Sequence, residues 1–155
     1  GTPDKGATFD SAGKLVESDL YVGGYGGLES GLVTISSTAS TEVVFSTVFG
    51  TDVNTTSTSG GTANTIEVDQ SGIWEVTVSG NIGSFTSSET LELEININGV
   101  GDRVVKFKIV DINSAISYTY HLNLSASDEV SVNLDSTSDS DYNYNDIRLI
   151  LNRIN

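Results

Sequence analysis

Val68-Asp-Gln-Ser-Gly-Ile-Trp-Glu-Val-Thr-Val-Ser-Gly-Asn-Ile82 decides the fold. The stretch holds the only tryptophan of the chain, Trp74. Ser71-Gly72 reads as a turn, and strict alternation follows it. Trp74, Val76 and Val78 point one way; Ile73, Glu75 and Thr77 point the other. A period of two over this length is a strand with one buried face. A second strand follows at Leu91, Leu93, Ile95 and Ile97, closing on Asn98-Gly99. Asn-Gly between alternating apolar residues is the strongest short-range hairpin signal.

Toward the C-terminus the pattern repeats. Val105, Phe107 and Ile109 alternate with Lys106 and Lys108. Tyr118, Tyr120, Leu122 and Leu124 share a strand face, and Ser127-Asp128 makes a turn. Val130, Val132 and Leu134 form the next strand, and Ile147, Leu149 and Leu151 the last. Toward the N-terminus, Val33 and Ile35 mark a short strand, and 42–49 a longer one with Val43 and Phe45 on one face and Val44 and Val48 on the other. Residues 50–64 and 135–146 are small and polar and read as exposed loops; loops of such length commonly carry function. Residues 1–31, with the sole proline at Pro3 and the glycine-rich run from Tyr21 to Leu28, read as an arm or linker without a core. The expected organisation is this arm followed by one all-β sandwich over 32–155, with eight to ten strands and no helix.

Composition narrows the function. The chain has 155 residues, 21 acidic and 7 basic, with a net charge of -14. Nucleic acid, which wants basic patches, is excluded as a partner. An anionic membrane surface is excluded by the same sign, and no apolar run reaches membrane-spanning length. With no cysteine, disulfides, zinc-thiolate sites and thiol nucleophiles are ruled out. The glycine pairs near Tyr25 are not a phosphate loop, because no Gly-Lys-Ser or Gly-Lys-Thr follows. The last strand has Ile150 and Ile154 opposite Ile147, Leu149 and Leu151. A strand apolar on both faces has something packed on each side, and in a chain this short a second subunit is a natural candidate.

Gly72-Ile-Trp-Glu-Val-Thr-Val-Ser resembles the Gly-x-Tyr-x-Phe-x-Val strand of C1q and tumour-necrosis-factor-like jelly rolls. The 91–99 stretch, ending Ile-Asn-Ile-Asn-Gly, resembles the strand after it, and the strands at 118–124, 128–134 and 147–151 follow in the family's order. Trp74 stands where the family has Tyr or Phe, and Tyr144-Asn-Asp-Ile replaces the closing Phe-x-Gly of C1q domains. Ala7-Thr-Phe-Asp-Ser-Ala-Gly-Lys-Leu-Val16 is similar to segments that precede the tip domains of bacteriophage fibres. The resemblance implies an antiparallel jelly-roll sandwich that forms a homotrimer on a three-fold axis. It implies a fibre, spike or capsid-decoration role on a virion surface, with residues 1–31 joining other virion proteins. Tyr118, Tyr120, Leu122 and Ile150 are the expected trimer contacts.

Few residues carry chemistry. His121, the only histidine, alternates away from the tyrosines and reads as a structural or solvent-facing residue. Asp139, Asp141 and Asn143 offer hard oxygens at alternate positions, which suits Ca²⁺. The register is not an EF-hand, because its sixth and twelfth positions are Tyr144 and Ile150. Glu92 and Glu94 share a water-facing strand face rather than flanking a glycosidic bond. Asp52, Asn54, Tyr142 and Tyr144 are the candidate receptor contacts of the two polar loops. No acid, base and nucleophile cluster, so the expectation is a non-enzymatic domain without a cofactor that binds a host-surface glycan or protein. The alternative owner of the same fold is a carbohydrate-binding or adhesin module on a bacterial or spore surface. A polysaccharide hydrolase ranks last.

Overall fold

The computed structural model describes residues 7–9, 15–17, 24–30, 33–35, 40–51, 55–58, 64–84, 89–109, 114–136 and 142–154. Its strands are β1 (Ala7–Phe9), β2 (Leu15–Glu17), β3 (Tyr25–Glu29), β4 (Val33–Ile35), β5 (Thr41–Glu42), β6 (Thr47–Thr51), β7 (Thr55–Thr58), β8 (Thr65–Val68), β9 (Gly72–Ser84), β10 (Glu89–Ile97), β11 (Val100–Ile109), β12 (Ser114–Leu124), β13 (Glu129–Ser136) and β14 (Tyr142–Arg153). β1 and β2 pair only with each other. The other twelve form two six-stranded antiparallel sheets. The front sheet has the order β12-β9-β14-β3-β6, with β4 also on β14. The back sheet has the order β11-β10-β13-β8-β7, with β5 also on β13. From β8 to β14 the chain crosses between sheets at every connection except the β10–β11 hairpin, which is jelly-roll connectivity.

The expected alternation is the observed packing. Trp74, Val76 and Val78 are fully buried against Leu91, Leu93 and Ile95 of the back sheet, in one core with Val130, Val132 and Leu134. Three places depart from expectation. Leu28 is fully buried and β3 lies between β14 and β6, so the sandwich begins at Gly24, inside the stretch expected to be an arm. Its signal was hidden because only one of its five residues is apolar. The expected strand over 42–49 is divided in two. β5 ends on the back sheet, 43–46 cross over with Val43 and Phe45 buried, and β6 begins on the front sheet. Backbone bonds from Val43 N–H to Val132 C=O (2.8 Å) and from Ser46 N–H to Glu29 C=O (2.9 Å) fix that switch of sheets. The expected loop over 50–64 contains a strand, β7, paired with β8 from Thr55–Val68 to Thr58–Thr65. It is all Thr and Ser, and threonine's branched β-carbon suits a strand without an apolar pattern.

The front sheet carries one bulge that resets its pattern. Asn145 pairs with Asn81 and Arg148 with Ser79, so Asp146 and Ile147 stand together opposite Gly80. Asp146 takes φ 53, left-handed for a non-glycine residue. The extra residue inverts the inward parity: Tyr144 faces in before the bulge, and Ile147, Leu149 and Leu151 face in after it. Gly80 is required there, because a β-carbon on it would lie 2.4 Å from Ile147 Cδ1 and 2.9 Å from Ile147 Cα.

The two ends of the sandwich differ. At one pole the connections are short and bonded to each other. Asn98 and Gly99 (φ 53 and 75) form the expected hairpin turn, with left-handed backbone at both positions as a type I′ turn requires. Asn98 Nδ2 donates to Asp128 Oδ1 at 2.8 Å, and Glu129 N–H donates to Asn98 Oδ1 at 3.0 Å. Ala126 N–H donates to Ser71 Oγ at 3.0 Å, and Arg153 donates to Gln70 Oε1 and Ser71 C=O. β7, β9, β11 and β13 all run away from this pole.

Candidate functional site

The front sheet turns its outer face to solvent, and that face divides across the strands. The dividing row is Ile150, Thr77 and Thr119, which stand side by side on β14, β9 and β12. Thr77 and Thr119 hydroxyls are 3.0 Å apart. Toward the bonded pole the face carries exposed apolar residues among polar ones, Glu75, His121, Asn123 and Asn152. Ile73 and Ile154 are adjacent, joined by Ile154 N–H to Ile73 C=O at 2.8 Å, and are 41 % and 47 % exposed. Ile150 is half-buried beside Gly27. Tyr25 and Phe49 meet edge to face with centroids 6.4 Å apart, and Arg148 lies 5.8 Å from the Phe49 centroid. Within this half His121 stands 3.4 Å from Glu75, and just across the dividing row Arg148 pairs with Glu29 at 2.9 Å. Exposed pairs of this kind contribute little to stability; Arg148 offsets the charge of Glu29.

A second surface closes the open side of the sandwich between β11 and β12. Tyr118 and Tyr120 point toward the core but lie on the last strand of the front sheet, so they remain half-exposed. Their rings stack at 6.3 Å and 14°. Arg103 reaches across from β11, places its guanidinium 4.3 Å from the Tyr120 centroid and donates to its hydroxyl at 2.5 Å. That contact raises the guanidinium's affinity for its proton further above the ordinary value. Cation–π contact and a planar donor fork are what Arg offers over Lys.

Among the expected trimer contacts, Tyr118, Tyr120 and Ile150 are therefore on accessible surface. Leu122 is not: at 5 % exposure it is spent in the monomer core, in one cluster with Trp74 and Leu124. Tyr144, expected in a receptor loop, is also corrected. It lies within β14, is fully buried, and its hydroxyl has only a poorly aligned contact with the Val44 backbone. Burial pushes its phenol up to about 12, against the opposing effect of that contact. Tyr142 also lies in β14. Asp52, Asn54, Asp139 and Asp141 lie outside the described residues, so the calcium candidate is represented only by Asn143, half-buried and paired in register with Thr34 and Ser84. Among the described residues no group of three or more His, Asp or Glu is placed to hold a metal ion. Glu92 and Glu94 lie on the outer face of the back sheet, with Asp135 directly opposite Glu92. His121 is on the outer face, as expected.

The bulge and the Arg103 bridge were beyond sequence reasoning. Only the parity break between Tyr144 and Ile147 signalled the first; nothing local signalled the second, since 17 residues separate its partners.

No protein-family model matches the chain, and no curated protein matches it. Solved structures do. The chain is similar to Eiger TNF from S. frugiperda, at 16% identity and TM-score 0.56 over 86% of this chain and 92% of that one. It is similar to PRD1 vertex protein P5, at 16% identity and TM-score 0.60 over 85% and 97%. It is similar to the globular domain of zebrafish complement 1qA protein, at 11% identity and TM-score 0.58 over 85% and 97%. The fold is the C1q/TNF-like jelly roll.

Proposed function

We propose that the chain is a non-enzymatic, homotrimeric attachment or decoration domain displayed on a virion surface. The observation that carries the reading is the pair of unlike surfaces left open on an acidic monomer. One is the apolar group on the front face, Ile73, Ile150, Ile154, Tyr25 and Phe49. The other is the β11–β12 edge, with Tyr118, Tyr120 and Arg103. Two different patches on one chain make a head-to-tail contact, which gives a ring when its rotation closes. With a net charge of -14 on each copy, association needs local neutralisation. Arg103 on the edge and Arg148, which offsets Glu29 on the face, supply it. Three copies close the ring, as the fold's resemblance implies.

The similarity to a vertex protein supports a virion owner. In this reading the trimer contacts lie beside the bonded pole, and residues 1–23 reach toward other virion proteins. The strand ends that flank 59–63, 85–88, 110–113 and 137–141 gather at the opposite pole, which faces the host receptor. The test is the oligomeric state of wild type and Ile150→Glu by multi-angle light scattering. Three chains for the wild type and one for a folded variant support the reading; a wild-type monomer overturns it.

A further inference from the structure

The polar half of the front face contains a hollow of about 340 Å³. It lies at the β14 bulge, on the far side of the Ile150–Thr77–Thr119 row from the apolar patch. Ser79, Asn81, Asp146 and Arg148 surround it, and the exposed Ala115 supplies a methyl, the Ile116 side chain being turned into the core. The bulge makes the hollow. By standing Asp146 and Ile147 together opposite Gly80, it turns Ile147 into the core and leaves the Asp146 side chain exposed beside Arg148. Asp146 holds a left-handed φ of 53 to do so. Non-glycine residues in that region cost backbone energy and gather where a side chain is being aimed.

We propose that this hollow binds a neutral, hydroxyl-rich ligand of one or two rings: a sugar unit of a surface glycan. The inference names a ligand class for the attachment reading and rests on it for its biological purpose, although the site itself is complete in one chain. Three features point to the class. The first is charge. Arg148 is held by Glu29 through Nε and Nη2, which leaves Asp146 as the carboxylate of the lining. An anion would meet Asp146, whereas the hydroxyls of a neutral polyol can donate to it. The second is hydrogen-bond capacity. A carboxylate, an amide with both donors and an acceptor, and a hydroxyl match vicinal hydroxyls, each of which donates and accepts. The third is size, since small-molecule sites are hollows of a few hundred Å³.

The test is saturation-transfer NMR on the full chain, using neutral monosaccharides and disaccharides (glucose, galactose, mannose, N-acetylglucosamine and their dimers) and two anionic probes, glucuronate and inorganic phosphate. Asp146→Gly is the chosen variant, because glycine favours the left-handed backbone and only the carboxylate is lost. The expected result is transfer from at least one neutral sugar, at least tenfold weaker binding in Asp146→Gly and in Asn81→Ala, and no change in thermal midpoint for Asp146→Gly. Asp146→Asn, which removes the carboxylate that repels an anion, is expected to bind glucuronate better than wild type does. No transfer from any neutral sugar overturns the proposal. So does transfer unaffected by Asp146→Gly, or preferential binding of glucuronate or phosphate by wild type. Light scattering on the same samples reads the trimer separately, so a failed sugar site and a failed trimer are distinguished.

Discussion

Tyr144→Phe should stabilise the protein, although most core substitutions do the reverse. Tyr144 is fully buried on β14 and its hydroxyl has no hydrogen-bond partner of good geometry. Leaving a buried hydroxyl unsatisfied costs about 1–3 kcal/mol, and an apolar side chain of the same shape removes that cost. Phenylalanine keeps the ring, so no cavity opens. The expected gain at pH 7 is about 1 kcal/mol in urea denaturation, at fixed protein concentration. A second reading comes from alkaline pH. The folded phenol is raised from 10.0 to about 12, so the folded state holds a proton that the unfolded state releases first. The resulting stability is fully present below pH 10 and is lost as pH rises from 10 to 12. At 1.36 kcal/mol per pKa unit, this loss is up to about 2.7 kcal/mol. Wild type should therefore lose more stability across that window than Tyr144→Phe, the other five tyrosines cancelling in the difference. A Tyr144→Phe protein less stable than wild type by 1 kcal/mol or more, with an identical alkaline profile, would refute the burial and the argument built on it.

Gly80→Ala should cost about 1–3 kcal/mol, the usual cost of overpacking, because the new methyl meets Ile147 Cα as well as its flexible end. Adding Ile147→Val, which removes Cδ1, should recover only part of that loss in a double-mutant cycle. Asn98→Ala should lose about 1–2 kcal/mol through its left-handed backbone and its bonds to Asp128 and Glu129; Asn98→Gly, which keeps the backbone, should lose less, read as thermal midpoints. Leu122→Ala should destabilise the folded chain by about 2–5 kcal/mol, as core truncations do. Ile150→Ser should leave the monomer fold intact by circular dichroism and weaken only assembly.

The sequence made the sandwich legible wherever one face was regularly apolar. β9, β10, β12 and β13 announced themselves through Trp74, Leu93, Leu124 and Val132, and the Asn98-Gly99 turn fixed one register. It was silent where pairing does not depend on apolar side chains. β3 is held by neighbours on both sides, yet among its residues only Leu28 is aliphatic. β7 is built from Thr and Ser alone. Tyr144 reads as a loop residue because 135–146 is polar in composition; β14 in fact begins at Tyr142, and the bulge after Asn145 sets Tyr144 out of phase with the Ile147, Leu149 and Leu151 pattern that would have marked it as strand. Site geometry was legible only in part for a related reason. Tyr118, Tyr120 and Ile150 could be assigned to faces by counting, but Leu122 shares the face of Tyr120 and differs from it in depth. Depth depends on which strands lie behind, and that is set by topology.

The most direct test is the solution mass of the wild-type chain at micromolar concentration, measured by light scattering beside Tyr120→Ala and Ile150→Glu. Unlike patches that close a ring predict three chains for wild type, and a single folded chain when either patch is altered. A wild-type monomer, or a trimer indifferent to both substitutions, would contradict the account.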